Sequence, residues 1–339
     1  FFFVKMCGFL LRWMFRSAVL VAVLAVGIHL YVGDGWQEAN IPPLAGKTAV
    51  VTGANTGLGY ETVRMMANAG SDVVMACRNL QKCEAARSSL QTTAKGTLQV
   101  MLLDLSEPNS IANFAQAVKE KVPKVDYLIN NAAIMAVPEQ TNSRGWELQF
   151  ATNHLGQFAL VQHLLPLLKA SKTRIVNHAS SAAHILWPVH PINLTDVMFQ
   201  KGRPYDPAVA YCQTKRANLW FTYELNRRYL ADGITSTSCH PGYSATELQQ
   251  KADGLPGVRN FLVDYGNKYM AQSPAVGALP QVYAAVHAQP DDYIGPVYYM
   301  IGPPIKVGHS LRAFPFPADE PKGPQDLWEL SAKLTGLGV

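Results

Sequence analysis

Thr48-Ala-Val-Val-Thr-Gly-Ala-Asn-Thr-Gly-Leu-Gly59 places a β-branched run directly before glycines 53, 57 and 59. Without Cβ atoms, those positions permit a tight turn, close approach of a pyrophosphate, and packing of the next helix on the strand. The N–H groups freed at the helix start would face phosphates, where the helix dipole favours negative charge. A glycine-rich turn is also ordinary chain punctuation. What raises this one is its context, after a strand and before an amphipathic helix expected from about Gly57 to Ala69.

Outward from that turn the chain alternates short apolar runs with helical stretches. DVVMAC, LQVMLLDL, VDYLINNA, RIVNHAS and ITSTSCHP read as strands, and YYMIG near Tyr298 adds a further one. Helices are expected at about Leu80 to Gln91, Ile111 to Lys121, Trp146 to Lys169 and Ala210 to Tyr229. Repeated βαβ units of this kind build an α/β, Rossmann-type doubly wound parallel sheet, here of about seven strands. Strands covered on both faces are nearly continuously apolar, as these are.

With 339 residues, 48% apolar and 16% charged, the chain can bury one large core. The net charge of +5 is mild, and the 29 Lys and Arg do not gather into runs among aromatics, which argues against nucleic acid as a partner. Cys7, Cys77, Cys83, Cys212 and Cys239 are scattered without metal-ligand spacing and read as reduced packing residues. His184 and His190, split by a Pro-containing loop, do not make a zinc site, so no metal is implied.

Residues 9–32 carry only Arg12 and Arg16 and are uncharged from Ser17 onward. That length suits a hydrocarbon core of about 30 Å, so an N-terminal transmembrane helix and a lipid-bilayer partner are expected. A secretory signal peptide is the competing reading. Lys5, Arg12 and Arg16 before the run would leave the amino end on the cytoplasmic or matrix side. The organisation expected is a membrane anchor over 1–32, a linker over 33–43, the main domain over 44–304 and a C-terminal extension over 305–339. The protein is then single-pass, with the mitochondrial inner membrane and the endoplasmic reticulum both open.

At the end of the second strand an NAD enzyme would carry Asp or Glu to hold the ribose 2′-hydroxyl. This chain has Ala76-Cys77-Arg78-Asn79, and a guanidinium there favours a 2′-phosphate, hence NADP(H). The alternative for Arg78 is a solvated strand-end charge. Asp104-Leu105 and Asn130-Asn131-Ala132-Ala133 close further strands, on the edge where ligands bind such sheets. Tyr211 and Lys215 are four apart on a helix and project from one face, so an ammonium would lower the phenol from about 10 and let it exchange protons. Ser180 could hydrogen-bond an oxygen gaining charge, with Ser181 a rival for that role. Asn153 sits within a helical pattern that gives Asn no advantage.

Taken in order, TGANTGLG, NNAA, the Asn of TNHLG, the Ser of NHASS, YCQTK and HPGYSAT resemble the short-chain dehydrogenase/reductase family, over about Leu44 to Pro304. ACRN, TNHLG, YCQTKRAN and HPGYSATEL look most like its retinol dehydrogenase, WW-domain oxidoreductase and protochlorophyllide reductase-like branch. The resemblance implies Tyr211 as proton donor and acceptor, Lys215 as its tuner and a ribose ligand, Ser180 as the carbonyl's partner, and Asn153 as holder of a relay water. It implies cofactor contacts at Gly53, Asn55, Thr56, Gly57, Leu58, Gly59, Arg78, Asp104, Leu105, Asn131, Ala132, Pro241, Gly242 and Thr246.

The stretch from Glu247 to Pro274 mixes large apolar residues with Gly hinges, which suits a lid over a hydrophobic small-molecule substrate or, equally, ordinary packing. A helix near Gln325 to Lys333 presents Leu327, Trp328, Leu330 and Leu334 as an apolar stripe able to dock on the domain or on a partner. A hydride-transferring enzyme on a retinoid-, steroid- or lipid-like carbonyl or alcohol is the favoured function. An accessory subunit of a larger membrane complex is the alternative, and a homodimer is compatible with either.

Overall fold

The computed structural model describes residues 35–185, 192–244, 271–309 and 322–338. The segment 9–32 therefore lies outside the described residues, and among those described no helix is long and apolar enough to cross a membrane. Residues 38–339 form one compact unit.

Among the described residues, eight strands make one sheet in the order β3-β2-β1-β4-β5-β6-β7-β8. They are β1 Thr48–Thr52, β2 Asp72–Cys77, β3 Leu98–Leu102, β4 Tyr127–Asn130, β5 Arg174–His178, β6 Thr235–Cys239, β7 Asp292–Pro296 and β8 Pro304–His309. All neighbours run parallel except β7 and β8. The order reverses between β1 and β4, which opens a crevice at the carboxyl edge.

Among the described residues, seven longer helices cover the two faces: α1 Gly57–Asn68, α2 Leu80–Leu90, α3 Pro108–Lys121, α4 Gly156–Ser171, α5 Pro207–Tyr229, α6 Pro274–Val286 and α7 Gly323–Thr335. Because side chains alternate along a strand, Val50 and Val74 face one side while Ala49, Val51, Val73 and Met75 face the other. The first set packs with α3, α4, α5 and α7, and the second with α1, α2 and α6. The apolar stripe of α7 docks on this domain itself: Trp328 is 3% exposed, its ring 4.9 Å from Phe158 and 6.0 Å from Phe221.

Three expectations need correction. YYMIG is not a strand; it is the turn between β7 and β8, where Tyr299 and Gly302 take φ of 64° and 109°, incompatible with an extended chain. The long helix expected from Trp146 is interrupted: a turn at Leu148–Phe150 passes through a π-turn at Ala151–Leu155 before α4 begins. Cys77 and Cys83 are not reduced but joined in a disulfide, since the end of β2 and the first turns of α2 bring their Cα atoms to 6.2 Å. Cys212 and Cys239 are free and buried, as expected of packing residues.

Candidate active site

The glycine turn is built as its sequence requires. Gly53 and Gly57 have φ of 66° and 55°, the left-handed region that side chains disfavour. A Cβ on Gly59 would lie 2.1 Å from the Gly53 carbonyl oxygen, so only glycine lets α1 start this close to β1. The turn is braced from β4: Asn131 Nδ2 donates to the Thr52 carbonyl (2.8 Å), and the N–H groups of Asn131 and Ala132 donate to Thr52 Oγ1 (3.0 Å each). Asn55, Thr56 and Leu58 stay partly or fully accessible along this cradle. A turn whose glycines let it pack closely on Asn131 and Ala132, at a helix N-terminus, fits a nucleotide pyrophosphate.

Arg78 is exposed at the end of β2 and has no ion pair among the described residues, while Asn79 beside it caps α2 by accepting from Lys82 N–H (2.9 Å). Asp104 is not free to swing: its Oδ1 accepts from Ser106 N–H (2.9 Å) and Ser106 Oγ (2.6 Å). Leu105 is buried, and its carbonyl fills the space beside Gly156, where a Cβ would come within 2.1 Å. Pro241 and Gly242 follow β6; Gly242 has φ of 66°, and a Cβ there would meet the Met300 carbonyl at 2.2 Å. Thr246 and most of the Glu247 to Pro274 stretch lie outside the described residues.

At the carboxyl edge of β5, Tyr211 from α5 lies close to Ser180, whose hydroxyl accepts from Ala182 N–H (3.2 Å). Lys215, one turn on, lies 5.7 Å from the Tyr211 ring centroid and donates from Nζ to the His178 carbonyl (2.9 Å). Burial raises the Tyr211 phenol above its ordinary value, and the nearby Ser180 hydroxyl opposes that rise. The expected lowering by the lysine is not what governs the phenol: burial does, and Lys215 Nζ is bonded to the His178 carbonyl instead. Burial also brings Lys215 down to about 7, poised between charged and neutral near physiological pH.

Asn153, in the π-turn, neither points to solvent nor bonds within its own helix. Its Oδ1 accepts from Ile134 N–H, and its Nδ2 donates to the Ile134 carbonyl, both at 2.8 Å. The same Nδ2 donates to Thr214 Oγ1 (3.1 Å), and Thr214 Oγ1 donates to the Tyr211 carbonyl (2.7 Å). The asparagine thus ties the loop after β4 to the helix carrying the tyrosine and lysine. Thr214 was legible inside YCQTK but gave no signal of this role. Gln281, buried on α6 and reaching His178, gave none either.

The family model for short chain dehydrogenase matches residues 47–192. Retinol dehydrogenase 13 of Homo sapiens is 38% identical over 322 residues, spanning 94% of this chain and 92% of that one. Among solved structures, an uncharacterised protein from Mycobacterium paratuberculosis superposes with a TM-score of 0.70 at 37% identity, over 89% of this chain and 98% of that one. The Pseudomonas aeruginosa RhlG/NADP active-site complex shares the fold at a TM-score of 0.55 and 24% identity, over 73% of this chain and 93% of that one. Similarity at that level across nearly the full length of a dehydrogenase accords with the crevice, its glycine cradle and the buried tyrosine: the chain belongs to the short-chain dehydrogenase family, oxidoreductases that act on CH–OH and C=O groups.

Proposed function

We propose that this protein transfers hydride between NADP(H) and a hydrophobic carbonyl or alcohol of retinoid, steroid or lipid type, with residues 9–32 as its bilayer anchor, 33–43 as linker, 44–304 as catalytic domain and 305–339 as extension. The observation that carries the reading is Tyr211 lying close to both Ser180 and Lys215 at the carboxyl edge of the parallel sheet. A nicotinamide dinucleotide, when bound, supplies or takes the hydride. The chain's own part is the proton: the Tyr211 hydroxyl gives it to the oxygen of a carbonyl being reduced, or accepts it from an alcohol being oxidised. Ser180 Oγ hydrogen-bonds that same oxygen as it gains charge. Lys215 favours the phenolate left behind, and Asn153, bonded to the Ile134 peptide, holds the water that relays the proton away.

Arg78, exposed where a carboxylate would select NAD, supports the 2′-phosphate. The names of the relatives support a retinoid-like substrate. The test is NADPH oxidation by the detergent-purified full chain, presented with retinoid, steroid and long-chain aldehydes. Tyr211→Phe should lower kcat about 10²- to 10⁴-fold while NADPH still binds. Wild-type protein that leaves every aldehyde untouched, or a Tyr211→Phe variant as fast as wild type, refutes the proposal.

A further inference from the structure

α6 is apolar nearly throughout, with Gly277, Ala278, Leu279, Val282, Ala284 and Ala285 all buried. In the middle of it stands a fully buried amide, Gln281. A buried amide is destabilising unless its donors and acceptor are matched, and here the matches lead to two functional segments. Gln281 Nε2 donates to the Leu58 carbonyl (3.2 Å), inside the glycine cradle, and to Thr62 Oγ1. Thr62 Oγ1 in turn donates to the Leu58 carbonyl (2.8 Å), so its lone pair is what receives the amide.

Those bonds fix which way the amide faces, because a carbonyl can only accept. Gln281 Oε1 must therefore accept from His178 Nδ1 (2.9 Å), which places the imidazole proton on Nδ1. The His178 carbonyl is the acceptor for both Lys215 Nζ (2.9 Å) and Asn218 Nδ2 (3.1 Å). The titratable groups facing His178 are Lys215 from α5, Cys239 from β6 and His240 just after it.

We propose that Gln281 and His178 are positioning residues that tie the nucleotide-phosphate turn at Leu58 to Lys215, so that the lysine's reach and basicity depend on a side chain from α6. The inference rests on the proposed NADP(H)-dependent activity. Neither residue touches the reacting atoms. Gln281 sets the orientation of the His178 ring, the ring restrains its own peptide, and the peptide holds the ammonium. Loading the phosphate turn and readying the lysine then share one chain of hydrogen bonds.

Gln281→Met keeps the length of the side chain and removes its bonds. In the full-length protein it should weaken NADPH binding, read by nucleotide fluorescence, about threefold to tenfold, the range for one neutral hydrogen bond. It should also move the pH limb of kcat/KM by roughly half a unit or more, because Lys215 changes its surroundings. His178→Leu should do the same, and the double variant His178→Leu/Gln281→Leu should be no worse than either single one. If Gln281→Met does not fold, that double variant, which leaves no orphaned polar group, carries the same two readouts. Wild type that turns over normally beside a variant with unchanged NADPH affinity and pH limb overturns this inference alone. Lower thermal stability with both readouts unchanged overturns it too. Wild-type protein that binds no NADPH overturns the functional reading and this inference with it.

Discussion

Mild acid should destabilise this protein strongly through three histidines. His154, His178 and His240 are buried, and desolvation of the imidazolium holds each at about 3, against an ordinary 6.5. Their native values lie below the unfolded value, so in between the unfolded chain binds more protons and stability falls as pH falls. The contribution is whole above 6.5 and is lost progressively down to about 3. At about pH 5 the unfolded imidazoles are protonated and the native ones are not; 1.5 units at 1.36 kcal/mol each is roughly 2 kcal/mol per histidine. Three together remove roughly 6 kcal/mol, against a typical total of about 5–15 kcal/mol. Glu147, whose carboxyl is raised by burial, works in the opposite sense and offsets part of this. Lys215, lowered from 10.5 to about 7, is mostly neutral in the native protein at about pH 7.5 and protonated at about pH 5, so it adds to the drop in the same direction, by roughly 1 kcal/mol or less. Urea unfolding of the full-length protein followed by tryptophan fluorescence, at about pH 7.5 and about pH 5, measures the difference. His154→Phe should reduce the drop by about a third, since its ring already lies among Phe150, Phe158 and Phe221. Equal stability at the two pH values, with no change on substituting His154, refutes the reasoning.

Further outcomes follow from the same geometry. Gly59→Ala drives a methyl against the Gly53 carbonyl and should abolish measurable NADPH binding while lowering stability by about 1–3 kcal/mol, seen by calorimetry and denaturant titration. Arg78→Ala should weaken NADPH binding about 10- to 100-fold and leave NADH binding unchanged; equal losses for the two nucleotides count against the 2′-phosphate assignment. Trp328→Ala should lower unfolding stability by about 3–5 kcal/mol through the cavity left among Phe158, Phe221 and Tyr229, with kcat per folded molecule unchanged.

Much of the site is legible in the sequence because its demands are local. A left-handed turn needs Gly53 and Gly57 whatever surrounds them, and Tyr211 and Lys215 share a helix face by spacing alone. What the sequence hides is set by distant partners. β7 contains Gly295 and Pro296 and looks like loop, yet it pairs in the sheet; Gly295 leaves room for the His240 ring, whose Nε2 would lie 2.0 Å from a Cβ there. YYMIG has the β-propensity of a strand, but the return to β8 must be made somewhere, and it is made there. Cys77 and Cys83, six apart, match no motif; only the fold-back of α2 on β2 brings them together. Asn153 looks misplaced in a helix because the pattern of apolar residues does not reveal that its partner is the Ile134 peptide.

The π-turn at Ala151–Leu155 makes the site unusually sensitive to chain length. Removing one residue there would let an ordinary α-helix run straight through, repairing the backbone ladder, and the local cost would be slight or even negative. The residues at the bulge would be pulled into α-helical positions, while the helix on either side stayed nearly in phase. An asparagine now locked to a neighbouring peptide would then sweep away from it. Natural sequences of this type should therefore tolerate exchanges of side chain within those five positions far better than the loss of any one of them.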